Sequence, residues 1–144
     1  MNDRRFLVIV PTYNEIENLP RKAPLILEQD ERLDVLIVDD GSPDGTGELA
    51  DRMAQDNPRL HVLRRSAKDG LGKAYLAGFD WGLTRGYDVL IEMDADISHP
   101  AESLSDMMEA TERYQVVIGS RYVDGRVTVS NWPMSRLLIS YFGS

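Results

Sequence analysis

Five short apolar segments recur at regular intervals along this chain, at residues 6–10, 35–38, 60–63, 89–93 and 116–119. They are rich in Val, Ile and Leu, and polar residues do not alternate with the apolar ones. A strand with one wet face alternates; a strand covered on both faces reads as a continuous apolar run. The pattern therefore predicts strands of a parallel sheet sandwiched between two layers. The intervening stretches, roughly 16–28, 46–55, 72–84 and 101–113, read as helices. Alternation of the two gives βαβ units and an α/β fold with a mostly parallel central sheet. Helix boundaries are marked: Asp44 precedes the second helix, Pro58 stops it, and Pro100 suits the first turn of the fourth. After residue 119 the pattern changes. Residues 122–131 read as a loop turning at Gly125, and 132–142 as a short helix.

The 144 residues suffice for one domain with a core of its own. With 42% hydrophobic and 28% charged residues, wholesale disorder is excluded. A net charge of -8 argues against a nucleic-acid partner, since such binding rests on Lys and Arg neutralising phosphates. It leaves room for a small phosphorylated ligand, because a divalent cation supplies local positive charge. The absence of cysteine excludes disulfides, thiol catalysis and cysteine-held zinc. The apolar run at 6–10 is too short for a signal-peptide core, and no run reaches membrane-spanning length. A cytoplasmic domain is the expectation.

In open α/β sheets ligands bind beyond the carboxyl ends of the strands, and the polar residues of interest fall there. The first strand runs into Pro11, Thr12, Tyr13, Asn14 and Glu15; the second ends in Asp39, Asp40, Gly41 and Ser42; the fourth ends in Asp94, Ala95 and Asp96; the fifth ends in Gly119, Ser120 and Arg121. Two carboxylates one residue apart, just past an apolar strand, can converge on a hard cation such as magnesium or manganese. The plainer alternative is that Asp96 caps the next helix. Asp39 and Asp40 suit a ligand clamp, and the run through Thr46 is equally good turn and cap chemistry, so one carboxylate is expected to face ligand while the others serve the backbone. Residues 70–73 fail the Walker A pattern, with Ala67 where a glycine is required and Ala74 in place of Ser or Thr, and fail the dinucleotide fingerprint at Tyr75. Lys73 then lies near a phosphate or is a solvated charge. His61 and His99 are too few for a histidine metal cluster; His61 reads as packed or surface, His99 as a neighbour of Asp96. No Gly-x-Ser-x-Gly elbow occurs.

Taken in order, Val10-Pro-Thr-Tyr-Asn-Glu15, Val38-Asp-Asp-Gly-Ser-Pro-Asp-Gly-Thr46, Gly70-Leu-Gly-Lys-Ala-Tyr75, Met93-Asp-Ala-Asp-Ile-Ser-His-Pro100 and Gly119-Ser-Arg-Tyr-Val123 resemble family 2 glycosyltransferases. The long second and fourth blocks look most like polyprenol-phosphate (dolichol-phosphate type) mannosyltransferases. The resemblance implies a GT-A fold, GDP-mannose as donor, a polyprenyl phosphate acceptor, a Mg2+ or Mn2+ ion and inversion at the sugar. It implies that Pro11, Tyr13, Glu15, Val38 and Asp40 line the nucleotide pocket, with Asp94, Ala95, Asp96 and Arg121 completing the nucleotide-sugar site. Asp94, Asp96 and Ser98 would hold the metal. Asp96 and Arg121 would be the catalytic pair, and Arg121, Arg136 and Ser140 would hold the acceptor phosphate. On this reading residues 1–123 form the nucleotide-sugar-binding core, and 124–144 the acceptor loop and the start of an interfacial helix. Where the family has a glycine-rich linker before Asn131-Trp-Pro, this chain has one glycine, Gly125. The family pattern also runs further, so the chain reads as truncated at its C-terminal end. A different family 2 donor or acceptor, a nucleotidyltransferase, and a binding fragment without turnover are the alternatives.

The last segment adds a membrane expectation. On a helix, Met134, Leu137, Leu138 and Tyr141 form one apolar stripe. Trp132 and Tyr141 suit headgroup level, and Arg136 interrupts the run before it could span. The stripe reads either as an interfacial helix at the cytoplasmic face of a membrane, with a membrane-anchoring partner or a further C-terminal region beside it, or as core packing.

Overall fold

The computed structural model describes residues 3–96, 100–119, 122–123 and 126–127. They fall into two compact units, Met1–Ser105 and Asp106–Ser144. The first unit holds a four-stranded parallel sheet of β1 (Phe6–Thr12), β2 (Leu33–Asp39), β3 (Leu60–Arg64) and β4 (Val89–Glu92), in the order β3-β2-β1-β4. Helices α1 (Leu19–Leu27), α2 (Thr46–Asp56) and α3 (Leu71–Leu83) connect successive strands. A single 3-10 turn, Ala101–Ser103, leads into α4 (Leu104–Ala110). In the second unit β5 (Tyr122–Val123) and β6 (Arg126–Val127) pair antiparallel.

The continuous apolar runs have the predicted cause. From Phe6 to Val10 and from Val35 to Val38 every side chain is essentially inaccessible to water. β1 and β2 are the two central strands, so both of their faces are covered. The right-handed rule for βαβ crossovers puts α1 and α2 on one face and α3 on the other. Leu7 and Ile9, on alternate positions of β1, face α3 together with Leu36 and Val38 of β2.

Boundaries differ from expectation where local hydrogen bonds win. α1 starts at Leu19 rather than 16, because the Glu15 carbonyl accepts from the amides of Asn18 (3.2 Å) and Leu19 (2.9 Å) and closes a turn first. α2 ends as Pro58 requires, with Asn57 extended at φ -140°. The fourth predicted helix is shorter than 101–113, since three-residue hydrogen bonds take over at both ends: Ser103 to Pro100 (3.3 Å), Glu112 to Glu109 and Arg113 to Ala110 (both 3.1 Å). Part of the predicted loop at 122–131 is instead the β5–β6 ladder. The fifth predicted strand is a correction. Residues 116–119 have no strand conformation, and Val116 and Ile118 are 78% and 75% exposed. Composition marks a segment that would suit a sheet, but ladder partners and burial make the strand, and here neither overrides the local chain. Gly125 and the predicted helix at 132–142 lie outside the described residues.

At two positions α3 contributes no side chain between its backbone and the sheet. A Cβ at Gly78 would stand 2.6 Å from Ile9 Cγ2, and one at Gly82 2.7 Å from Leu90 Cδ2 and 2.9 Å from Leu7 Cδ2. With Ala74 one turn earlier, these residues bring the helix backbone against β1 and β4. Gly78→Ala is expected to lower stability by about 1–3 kcal/mol through overpacking, seen as a lower urea midpoint with an unchanged denaturant slope.

At the amino end of the sheet a polar cluster ties three strands together. Tyr87, just ahead of β4, donates its phenol to Asp34 Oδ2 of β2, which also contacts His61 Nε2 of β3 at 3.2 Å. Trp81 of α3 stacks on Tyr87, with ring centroids 6.1 Å apart, and the Arg5 guanidinium lies 4.1 Å from the centre of the Tyr87 ring. His61 is thus a partly buried, packed residue, one of the two placements the sequence left open. Burial, then the hydrogen bond and charge of Asp34, raise the Tyr87 phenol from 10.0 to about 12. A folded-state pKa above the unfolded one contributes stability that is complete below pH 10 and lost as pH rises towards 12. Over that window, alkaline unfolding curves of the wild type and Tyr87→Phe should therefore converge, with the wild type losing its advantage.

Candidate active site

The chain steps from β1 to β2 to β3 in one direction and then returns to place β4 on the other side of β1. β1 and β4 are therefore neighbours although the chain reaches them from different directions, and their carboxyl ends share one edge, the place where doubly wound sheets bind ligands. The Thr12–Glu15 loop and the Asp94–Asp96 turn stand at this edge, tied by the Met93 amide bonding to the Ile9 carbonyl at 3.1 Å. The Asp39–Thr46 loop stands on the next strand, about 5 Å further across.

A buried carboxylate organises the β1 and β2 loops. Asp39 has no exposure to water. Its Oδ1 accepts the hydroxyls of Thr12 (2.8 Å) and Ser42 (2.6 Å), and its Oδ2 accepts the Ser42 amide (3.1 Å). Arg64 Nε stands 3.9 Å from Oδ2. The Ser42 hydroxyl also accepts the Asn14 amide at 3.0 Å, and the Thr46 hydroxyl accepts the Glu15 amide at 3.0 Å. Asp44 receives the Thr46 hydroxyl and amide and, at 3.3 Å, the Ile16 amide. The Thr46 bonds, with smaller help from the Ile16 amide, hold the Asp44 carboxyl below its usual range. Asn14 sits at φ 57°, in the left-handed region that asparagine tolerates better than most residues. The Asp39–Thr46 segment is therefore chiefly turn and cap chemistry, with Asp40 as the exception.

Asp40 is 6% exposed and pairs with Arg65, whose Nη1 lies 3.1 Å from Oδ1 and 3.3 Å from Oδ2. Tyr13 stands out at 38% exposure, with Lys68 Nζ 4.4 Å from its ring centre. Pro11 and Glu15 are half-buried, and Glu15 accepts the Asn18 side-chain amide at 2.7 Å. These four residues lie at the carboxyl edge, on the loops the sequence indicates. Val38 and Ala95 differ: both side chains are buried, Val38 in the core cluster beneath α3. Neither side chain reaches an open surface.

Asp94 and Asp96 are half-buried and bracket the buried Ala95. Each is approached from a different helix. Tyr75 of α3 donates its hydroxyl to Asp94 Oδ1 at 3.1 Å, and Lys22 of α1 donates Nζ to the Asp96 carbonyl at 2.7 Å. Lys22 is 6% exposed. Burial lowers its pKa, while the charges of Asp96, Asp94 and Glu102 oppose that. Partial desolvation and the charge of Asp94 raise the Glu92 carboxyl. Acids thus outnumber cations around this turn, and two hard, half-buried carboxylates stand one residue apart on it. That donor set fits a magnesium- or manganese-sized ion completed by water and ligand phosphate; among the described residues no third carboxylate or imidazole joins them. Sequence reading missed Lys22, Tyr75 and Arg65. Lys22 carries a legible signal, since it falls on the buried stripe of α1 with Leu19, Ala23 and Ile26. Lys73 is the solvated charge considered above, paired with Asp69 at 2.8 Å. Ser98, His99, Arg121, Arg136 and Ser140 lie outside the described residues.

Residues 7–143 match the Glycosyl transferase family 2 profile. This chain belongs to that family. The family 2 chain is 56% identical over 140 residues to the undecaprenyl-phosphate mannosyltransferase of Micrococcus luteus, a match covering 97% of the chain and 57% of that protein. It is also 56% identical over 139 residues to the polyprenol monophosphomannose synthase of Mycolicibacterium smegmatis, covering 95% and 52%. The chain thus spans about half the length of these relatives. Among solved structures, the mannosyltransferase PcManGT from Pyrobaculum calidifontis, in complex with GDP-Man and Mn2+, superposes with a TM-score of 0.59 at 31% identity, over 73% of this chain and 31% of that one. The sheet of this family 2 chain is that of a GT-A fold.

In this family 2 chain Asp39 ties the β1 and β2 loops together through Thr12 and Ser42. Asp39→Ala would strand the Thr12 and Ser42 donors, so a loss of about 3 kcal/mol is expected, read as a lower urea midpoint.

Proposed function

We propose that this chain is the donor-binding part of a polyprenol-phosphate mannosyltransferase, which moves mannose from GDP-mannose to a polyprenyl phosphate at the cytoplasmic face of a membrane. The observation that carries the reading is the pair of carboxylates at 94 and 96, set beside the carboxyl end of β1, in a chain so similar to relatives named for this transfer. In the proposed complex Tyr13 and Asp40 flank the base and ribose, with Pro11, Glu15 and the floor at Val38 and Ala95 completing the pocket. Asp94 and Asp96 hold a Mg2+ or Mn2+ ion, which when bound balances the charge of the donor diphosphate. The anomeric carbon loses its bond to GDP and gains one to an acceptor phosphate oxygen, with inversion.

The acceptor needs little activation. A phosphate monoester has a second pKa near 6, so at neutral pH it is largely dianionic and no protein base is required. Orientation and charge are the remaining tasks. Guanidinium groups suit them because they grip phosphate oxygens in pairs. On sequence grounds they fall to Arg121, Arg136 and Ser140, with Ser98 beside the metal and the apolar stripe of 134–141 at the membrane surface. Residues 1–123 then form the donor core and 124–144 the start of the acceptor region.

The test has two arms. Calorimetry should show GDP-mannose binding in Mn2+ weakened by EDTA and by Asp96→Ala, each by at least about tenfold, the low end of what disturbing even the surroundings of a bound metal costs. Undiminished affinity in folded Asp96→Ala would remove the metal assignment. Radiolabelled transfer from GDP-mannose to polyprenyl phosphate, run with this chain and with one extended to its relatives' length, tests the reaction. Label that stays in the donor in both, despite donor binding, would reduce the reading to a nucleotide-sugar-binding domain.

A further inference from the structure

Tyr75 does two jobs that a phenylalanine could only half perform. Its ring belongs to the core cluster with Leu7, Ile9, Leu36 and Val38, and packs near Phe79 with ring centroids 6.5 Å apart. That role needs no oxygen. A buried hydroxyl must find a partner or lose hydration without return, and this one is directed at Asp94 Oδ1, 3.1 Å away. The residue is only 8% exposed, and its helix is fixed against the sheet by the contacts at Gly78 and Gly82. The phenol oxygen is therefore a donor whose position the core sets.

An aspartate carboxylate turns easily, because its terminal torsion is broad and nearly two-fold. Metal binding needs it in one orientation, and partners behind the ligands usually provide that. A phenol is well suited to the place. It donates without adding charge, so it does not compete with a cation as a lysine would. A phenol's ordinary pKa of about 10 keeps it a donor at neutral pH.

We propose that Tyr75 is a positioning residue of the active site, whose hydroxyl orients the Asp94 carboxylate to receive a divalent cation and, through it, a nucleoside diphosphate. The inference rests on the metal reading given under Proposed function. It is tested by Mn2+ titration in the presence of GDP, following free Mn2+ by electron paramagnetic resonance. Tyr75→Phe keeps the ring and should fold, with a urea midpoint near that of the wild type. Its Mn2+ affinity should fall about tenfold or more. Asp94→Asn should lose more, and Tyr75→Phe combined with Asp94→Asn should bind no more weakly than Asp94→Asn alone, because the tyrosine acts through that carboxylate. Unchanged Mn2+ affinity in Tyr75→Phe, with Asp94→Asn impaired, overturns the positioning role and leaves the metal reading intact. A further loss in the double variant also overturns it, by showing that the hydroxyl acts elsewhere. If Asp94→Asn itself binds Mn2+ like the wild type, the metal reading falls and this inference with it.

Discussion

A carboxylate removed from water must be surrounded by donors, and at Asp39 those donors come from the loops that need holding. Thr12 closes β1, Ser42 turns the chain after β2, and through the Ser42 hydroxyl the network reaches the amide of Asn14. One buried charge thereby fixes the relative height of two loops at the carboxyl edge. The neighbouring Asp40 is then held by Arg65 at the same edge. Without Asp39 these segments would retain their turn propensities but lose a common reference point.

The β4 side of the edge is built differently. Asp94 and Asp96 follow the short strand β4 and are met by side chains from two helices, Tyr75 and Lys22. The β1–β2 side is a local hydrogen-bond network, and the β4 side depends on the packing of α1 and α3. Changes in helix packing and changes in loop chemistry therefore reach the two halves of the site by separate routes.

Much of this was legible in the sequence because the relevant physics is local or periodic. Continuous apolar runs announced strands with two covered faces, and acids beyond those runs announced the edge that carries the site. What stayed hidden depends on encounters between distant segments. Lys22 and Asp96 are 74 positions apart, and Arg65 and Asp40 25; no spacing rule pairs them. The roles of Asp39 and Asp40 could not be separated by reading, since both are strand-end aspartates and only burial and partners distinguish them. Residues 116–119 misled for the converse reason: apolar, β-branched composition was present without the pairing that makes a strand.

The glycine contacts of α3 have a mechanical meaning. Between most helices and sheets lies a layer of side chains whose rotamers can yield. At Gly78 and Gly82 the helix adds nothing to that layer, and its backbone meets the side chains of Ile9, Leu7 and Leu90 directly. Close-packed interiors transmit strain, and a layer thinned to one side's residues has less room to absorb it. A small flex of β1 or β4 would be felt in α3, the helix that brings the phenol of Tyr75 to the carboxylate it touches.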